Sequence, residues 1–219
     1  TQVADNSGFG GTGIIGTVTE FGSIWVNGIE VEYPENVAVK SNLFNSDTLK
    51  VGQQVIVETV IGKNLPWTAN IEVFYPLAGK IEKISTDHVV VDGKTVFISK
   101  ETRIADGVKI LPGQYIAING SPNLDKSWNA TLISQNPEKK HFFQSVPKVS
   151  FSEKLRRLSI LTTQIQLKEW DAKFAGLPIN LIQTGETSTH TYLLTAELEK
   201  GEIVSYQIKQ HNLSTLKSG

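Results

Sequence analysis

The sequence of 219 residues contains no cysteine and no methionine. Without cysteine the chain can form no disulfide, thiolate metal site or cysteine nucleophile. Since Thr1 is not a translation start, we expect that an upstream segment, such as a signal peptide or a lipid-anchor site, preceded it. Residues 1–12 are polar and rich in glycine, which predicts a flexible leader.

Charge of one sign and long apolar runs are also lacking. Lysine and arginine together number 21 and aspartate and glutamate 22, so the formal net charge is -1. That balance gives no general attraction to phosphate, and we do not expect nucleic acid as a partner. No window approaches the roughly 18 consecutive apolar residues of a membrane-spanning helix. The hydrophobic content of 39% is enough for a packed core, so we expect a soluble folded chain.

An internal repeat organises the sequence. Apolar residues alternate on both sides of Asn27-Gly28 and again on both sides of Asp92-Gly93, and each dipeptide is a strong hairpin signal. Gly113-Gln114 follows Gly52-Gln53 by 61 residues, and Trp128 follows Trp67 by the same 61. Each copy offers about five short strands, so we predict an all-β fold of tandem small five-stranded barrels.

The predicted boundaries follow from this repeat. Module 1 spans residues 13–75, module 2 spans 76–137, and a more diverged module 3 spans 158–219. Residues 138–157 are predicted as a linker. The segment from Ser152 to Leu158 offers the only plausible helix, with Ser152 as its cap. Phe142 and Phe143 in the linker are expected to fill an interface between modules, with a surface that docks another protein as the alternative.

The sequence contains no convincing catalytic, nucleotide-binding or metal-binding motif. Gly8, Gly10 and Gly13 have the spacing of a dinucleotide fingerprint but lack the strand before and the helix after that such a site needs. The four histidines have no spacing that would bring two of them to one metal. We therefore predict no catalytic, cofactor-binding or metal-binding residues and no enzymatic activity.

Trp25 is the tryptophan best placed for an exposed contact. Aromatic side chains on the surface of small barrels can stack on bases or sugars. Trp67 and Trp128 recur at equivalent positions, which favours packing roles, whereas Trp25 stands alone in its hairpin. Trp25, Phe142 and Phe143 are the residues of a possible interaction surface, although core packing is the alternative use of Trp25.

The first copy resembles a family. Gly10–Gly13 reads G-G-T-G, Gly16–Gly28 reads G-T-V-T-E-F-G-S-I-W-V-N-G, and Leu49–Val57 reads L-K-V-G-Q-Q-V-I-V. These stretches are similar to an exported bacterial domain-of-unknown-function family with tandem small β-barrel repeats. The resemblance is weaker in the second copy and faint in the third. It implies small barrels similar to oligonucleotide-binding (OB) barrels and export to the periplasm or outer membrane, and it brings no catalytic residues.

Three functions follow as hypotheses. The first is a non-enzymatic cell-envelope protein that binds or scaffolds other envelope proteins through its barrels. The second is a module that binds a glycan or single-stranded nucleic acid through Trp25, with the near-neutral charge disfavouring nucleic acid. The third is an enzyme whose site is assembled only in space.

Overall fold

The computed structural model describes residues 13–20, 23–26, 28–44, 47–61, 63–145, 148–152, 157–161, 170–171 and 191–211. Those residues form twenty strands and no helix, which confirms the all-β prediction. Within the described ranges no helix is long and apolar enough to cross a membrane.

The first region of the chain has eight short strands. They are β1 (Gly13–Thr17), β2 (Ile24–Val26), β3 (Ile29–Val31), β4 (Ala38–Ser41), β5 (Gln54–Glu58), β6 (Val60–Ile61), β7 (Pro66–Trp67) and β8 (Asn70–Phe74). Strands β1, β5, β8 and β4 form one sheet in that order, and β2 pairs with β3 as a hairpin. Single bridges from Val18 to Val26 and from Glu32 to Trp67 join the hairpin to β1 and β7.

Five of the next six strands form a closed barrel. The six are β9 (Leu77–Ile84), β10 (His88–Val91), β11 (Lys94–Phe97), β12 (Arg103–Ile104), β13 (Tyr115–Pro122) and β14 (Trp128–Gln135). The order β9-β10-β11-β14-β13 returns to β9, so five strands close on themselves and leave no open edge within the ring. The short β12 lies outside this ring and pairs in parallel with β14.

The same kinds of pairing occur in both regions. In the first region β5 lies between β1 and β8 in antiparallel pairing, as β13 lies between β9 and β14. The short β4 pairs in parallel with β8, as β12 does with β14. For brevity we call the first region, a four-stranded sheet with a hairpin linked to it by single bridges, barrel 1, and we call the closed barrel barrel 2. That the two arose by duplication stays a prediction.

The turn at Asp92-Gly93 has the conformation that its sequence predicts. Asp92 has a φ of 45° and Gly93 a φ of 74°, and Val91 pairs directly with Lys94. Two consecutive positive φ values match the right-handed twist of the flanking strands, and aspartate and glycine tolerate them best. The predicted hairpin is therefore confirmed. Gly28 also has a positive φ, whereas Asn27 lies outside the described residues.

The remaining strands are β15 (Phe142–Ser145), β16 (Lys148–Ser152), β17 (Arg157–Leu161), β18 (Trp170–Asp171), β19 (Thr191–Glu199) and β20 (Glu202–His211). Strand β15 pairs with the first residues of β9, and the hairpin β19-β20 continues the same sheet through β15. Strands β19 and β20 of predicted module 3 thus extend the sheet of barrel 2, whereas β17 and β18 form a separate three-stranded sheet with β16. Residues 172–190, which carry much of the predicted third copy, lie outside the described residues.

The predicted helix over Ser152–Leu158 is wrong at both ends, which are strands, while residues 153–156 lie outside the described residues. Ser152 ends β16, and Arg157 and Leu158 begin β17, with Ser152 paired to Arg157 in an antiparallel hairpin. The preceding K-V-S-F-S stretch alternates with a period of two, which suits a strand. An isolated helix of seven residues is marginal in water, so strand pairing decides the outcome. The predicted linker over 138–157 consequently contains two strands, β15 and β16.

Strand β15 has both faces buried. Phe142 is 4% exposed and belongs to an apolar cluster formed chiefly by barrel 1, together with Ala78 and Ala117 of barrel 2. Phe143 is 0% exposed and belongs to the apolar cluster of barrel 2, together with Leu194 of β19. The alternation of side chains along a strand sends the two rings to opposite faces. One strand therefore contributes to the cores on both sides of it.

Tyr75, at the junction between the barrels, forms a buried polar pair. Its side chain is fully buried, and its hydroxyl donates a hydrogen bond of 2.7 Å to Oδ2 of Asp47, which is itself buried. Burial, followed by the negative charge of Asp47, raises the pKa of the Tyr75 phenol above its ordinary value of about 10. The neutral hydroxyl is thus the form that the fold favours.

We expect Tyr75→Phe to lower the free energy of unfolding at neutral pH by about 1–3 kcal/mol, because Asp47 loses its donor while it stays buried. Above about pH 10 the unfolded chain ionises this tyrosine while the folded chain keeps the proton, so wild-type stability falls. The difference in the free energy of unfolding between wild type and variant should therefore become smaller as the pH rises. Urea unfolding at several pH values measures this difference. A difference that does not change with pH would contradict the buried hydrogen bond from Tyr75 to Asp47.

Candidate functional site

Hydrogen bonds hold the two barrels against each other. The Thr131 hydroxyl on β14 donates to the carbonyl oxygen of Gly52 over 2.5 Å. The side-chain amide of Asn119 on β13 donates to the carbonyl oxygen of Phe74 over 2.9 Å. The backbone amide of Tyr75 donates to Oε1 of Gln144 on β15 over 2.8 Å. Because Asn119 and Gln144 are buried, these bonds are shielded from water and fix how the barrels meet.

The C-terminal hairpin is tied to the same junction. Thr195 on β19 accepts hydrogen bonds of 3.0 Å through its hydroxyl from the side-chain amides of Asn42 and Gln144. The ammonium group of Lys140 donates to the carbonyl oxygen of Asn42 over 2.9 Å. Barrel 1, β15 and β19 therefore meet at one place, and the surface beside them is built on a fixed scaffold.

A groove of about 630 Å³ runs between the two barrels beside the hydrogen bond from Thr131 to Gly52. One wall comes from barrel 1 and the other from barrel 2, and both carry apolar and polar residues. The residues that line it are Phe44, Leu49, Lys50, Val51, Arg103, Ile104, Ala105, Asp106, Leu132, Ser134 and Gln135. We call this the inter-barrel groove. Its size lies within the usual range for pockets that bind small molecules or peptide side chains.

The L-K-V-G-Q stretch builds the wall from barrel 1. Gly52 has a φ of 93°, which lets the chain turn into β5. Gln53 is fully buried; its Oε1 accepts from the backbone amide of Lys50 over 2.7 Å, and its Nε2 donates to the carbonyl oxygen of Thr48 over 3.1 Å. The glutamine that follows the glycine thus braces the turn from inside and holds Lys50 at the groove.

The E-T-R-I-A-D stretch builds the opposite wall. The Thr102 hydroxyl donates to the carbonyl oxygen of Ala130 over 2.8 Å and anchors the start of β12 on β14. The backbone amide of Ala105 then donates to the carbonyl oxygen of Ile133 over 2.9 Å. Since backbone groups alternate in direction along a strand, the N–H and C=O of Ile104 turn away from β14. The Ile104 side chain is 48% exposed, which is unusual for a large apolar residue.

Ser134 is the polar residue that stands out in the groove. It is 2% exposed, and its hydroxyl has no hydrogen-bond partner among the described residues. A buried hydroxyl without a partner costs about 1–3 kcal/mol, so such a group invites a ligand or a water molecule. The groove therefore combines apolar surface, an unpaired hydroxyl and charged side chains at Lys50, Arg103 and Asp106, which are the elements of a binding site.

Trp25, one of the three residues singled out from the sequence, lies away from this groove's lining. It is half-buried on β2, where it pairs with Glu30 across the hairpin, while its neighbours Ile24 and Val26 are fully buried. Side chains alternate along a strand, so Trp25 lies on the outward face. Its use for a glycan or a nucleic acid stays a prediction.

The other two residues, Phe142 and Phe143, present no exposed surface. Both rings are buried in the apolar clusters on either side of β15. They can contact another protein only if that strand leaves the sheet. Their contribution to any interaction is therefore indirect, through the positions of β15 and of the barrel it contacts.

A hydrogen-bonded pair of His141 and Asp92, with a buried carboxyl group and a half-buried ring, lies on another side of barrel 2. Nδ1 of His141 is 2.7 Å from Oδ2 of Asp92, whose side chain is 8% exposed, and the His141 ring meets Tyr115 edge to face at 5.1 Å between centroids. Burial lowers the pKa of nearby Lys94, and the charge of Asp92 opposes that effect. The pair joins the hairpin turn of barrel 2 to the residue before β15, a structural placement for a histidine that carries no motif in the sequence.

The inter-barrel groove is the site that the sequence alone does not reveal. Leu49–Val51 and Arg103–Asp106 lie some fifty residues apart in the chain, and neither stretch has the spacing of a known catalytic or metal motif. The only available signal is Ile104, an apolar residue between Arg103 and the sequence A-D-G, which is typical of a loop. The described residues also contain no group of three potential metal ligands.

Comparison with known proteins finds a similarity over one part of the chain. Residues 78–134 match the model of a family described as a "Domain of unknown function (DUF5666)". The matched stretch is nearly the whole of barrel 2, from the second residue of β9 to the residue before the last of β14. The search of curated proteins and the search of solved structures found no match. The stretch that is similar to this domain of unknown function folds as the closed β-barrel. It lies outside the first copy, and the first copy is where the resemblance seen in the sequence is most specific.

Proposed function

We propose that this protein is a non-enzymatic binding or scaffold protein of the cell envelope, and that it holds another envelope protein in the inter-barrel groove. The observation that carries this proposal is the groove itself, a cleft of about 630 Å³ whose two walls come from barrels joined by buried hydrogen bonds. A site formed by two rigidly connected modules is organised before the partner arrives, which reduces the entropic cost of binding.

The composition of the groove supports a protein as the ligand. Ile104 and Phe44 supply apolar surface, and Lys50 and Arg103 supply charged groups around it. Protein interfaces typically combine an apolar centre with a polar rim. The near-neutral net charge of the chain does not favour nucleic acid. Export to the periplasm or outer membrane is part of the same proposal and derives from the family resemblance.

The test places a photo-crosslinking residue in the groove. Ile104 is replaced by p-benzoylphenylalanine in the full chain, which is then irradiated with an envelope fraction of the source organism and analysed by mass spectrometry. The same replacement of Leu124, which is fully exposed at the β13-β14 turn and does not line the groove, is the matched control. We expect a defined protein to be crosslinked from position 104 and not from position 124.

A point variant measures the strength of that contact. We expect Ile104→Glu to reduce capture of the crosslinked protein by at least about tenfold, because it places a carboxylate on apolar contact surface, and Leu124→Glu to leave capture unchanged. Both side chains are exposed, so neither change should alter the circular dichroism spectrum. Equal capture by wild type and both variants, or identical crosslinks from both positions, would refute binding in the groove.

A further inference from the structure

We infer that the inter-barrel groove receives an extended polypeptide segment with alternating acidic and apolar side chains, which adds as a strand to the free edge of β12. This inference rests on the proposed function and goes beyond it in naming the conformation and the chemistry of the occupant. Three features of the groove carry it: the backbone of β12, the hydroxyl of Ser134 and the balance of charge.

The backbone of β12 is the first feature. Arg103 is paired with Leu132 and Ile104 with Ile133 in parallel, and among the described residues β12 has no second neighbouring strand. The N–H and C=O of Ile104 point away from β14, as the bond from the Ala105 amide to Ile133 requires. An added strand can pair with both groups, whereas a helix has its own backbone groups already bonded. An extended occupant is therefore the one that satisfies the edge.

The hydroxyl of Ser134 is the second feature. Ser134 lies on β14, one residue beyond the Ile133 that pairs with Ile104, and its hydroxyl is buried without a partner among the described residues. Ser134 is on β14, across β12 from its free edge, so the backbone of an added strand does not reach this hydroxyl. The group that could accept its proton is a carboxylate side chain of the occupant that extends over β12. That bond would remove the cost of leaving the hydroxyl unpaired.

The balance of charge is the third feature. Lys50 on one wall and Arg103 on the other are both cationic, and Asp106 is the single anionic residue of the lining. Two cations in the lining favour an occupant that carries carboxylates. In an alternating strand all the glutamates lie on one face and all the apolar side chains on the other. The exposed Ile104 and the half-buried Phe44 and Leu49 leave apolar surface between them for a residue such as valine. An acidic and apolar strand fits this lining better than a basic one.

The probes are two synthetic peptides labelled with fluorescein, one with the sequence Glu-Val-Glu-Val-Glu and one with Lys-Val-Lys-Val-Lys, both blocked at their ends. Fluorescence polarisation with the full chain measures their affinities. We expect the glutamate peptide to bind at least about tenfold more tightly than the lysine peptide, with an advantage that shrinks in high salt. The double variant Lys50→Glu and Arg103→Glu should reverse the order, and Lys83→Glu, an exposed change outside the lining, should not.

Strand addition has its own control. Two further copies of the glutamate peptide carry backbone N-methyl groups, one copy on its valines and the other on its inner glutamate. A strand that pairs along one edge loses binding in only one of these copies, because alternate N–H groups point to opposite edges. Loss in neither copy or in both would overturn strand addition. Absence of glutamate-peptide binding at millimolar concentration, or equal affinity for the lysine peptide, would overturn the inference as a whole.

The crosslinking and peptide experiments together distinguish failure of this inference from failure of the proposed function. If position 104 crosslinks a defined envelope protein while the peptides show no acidic preference, the groove binds a partner but the inference fails. If the peptides discriminate as expected and the crosslinked residues of the partner lie in an acidic extended segment, both stand. If neither experiment shows binding, both fail.

Discussion

Gly52→Ala is expected to lower the free energy of unfolding by about 2–4 kcal/mol, although it adds only one methyl group. Gly52 has a φ of 93°, where a side chain strains the backbone. A Cβ at this position would also lie 3.0 Å from the carbonyl oxygen of Thr131 and 3.1 Å from Cβ of Leu132 in the other barrel. Since these are backbone atoms or the first atom of a side chain, the barrels themselves would have to move apart.

Gly113→Ala is the matched control for this prediction. Gly113 has a similar φ of 85°, but no neighbouring atom would lie within 4 Å of an added Cβ. It should cost only the backbone strain, about 1–2 kcal/mol. Chemical denaturation of both variants measures the difference, which reports the contact between the barrels. Equal losses for the two variants would mean that the contact at Gly52 relaxes freely and does not fix the groove.

Gly52 and Gly113 show which features of the structure the sequence predicts and which it does not. The Gly-Gln dipeptides at 52 and 113 indicate a turn into a long strand, and both glycines have the positive φ that such a turn requires. Their surroundings differ, because Gly52 packs on Thr131 while Gly113 has open space. Gln53 is buried and Gln114 is exposed for the same reason. Local conformation follows from the residues themselves, whereas packing depends on which surface the rest of the chain brings near.

The predicted secondary structure likewise contains one confirmed and one wrong element. Alternating apolar residues around Asp92-Gly93 predict a hairpin, and period and turn chemistry agree there over eight residues. Residues 152–158 fit a helix only within one short window, and the pairing of Ser152 with Arg157 overrides it. The all-β barrel class was therefore predictable, and the short helix was a wrong prediction because a seven-residue pattern carries too little information.

The candidate site was not predictable from the sequence. Its binding features are an unpaired hydroxyl at Ser134, an outward-facing backbone at Ile104 and cations on two walls. None of these is a property of one residue with its sequence neighbours. Each depends on how barrel 1 sits against β14. The sequence did draw attention to Phe142 and Phe143, which lie in the strand between the cores and help to determine that placement.

Phe143→Ala is expected to have the largest effect, a loss of about 3–5 kcal/mol in the free energy of unfolding. The ring is fully buried in the cluster that joins barrel 2 to β19, through Leu77 and Leu194. Phe142→Ala is the matched variant, since it removes the same ring from the next position of the same strand. Its loss should be of similar size, because Phe142 is 4% exposed.

The two variants should differ in which strands exchange their amide hydrogens faster. The total free energy of unfolding does not report this difference. Phe142 packs in the cluster of barrel 1, so its loss should speed hydrogen exchange mainly in β5 and β8; loss of Phe143 should do so mainly in β9, β13 and β19. Hydrogen exchange with mass spectrometry separates these patterns. Identical patterns would mean that the two barrels open as one cooperative unit. In that case the groove between them could not change shape without unfolding, and a partner would have to fit it as it stands.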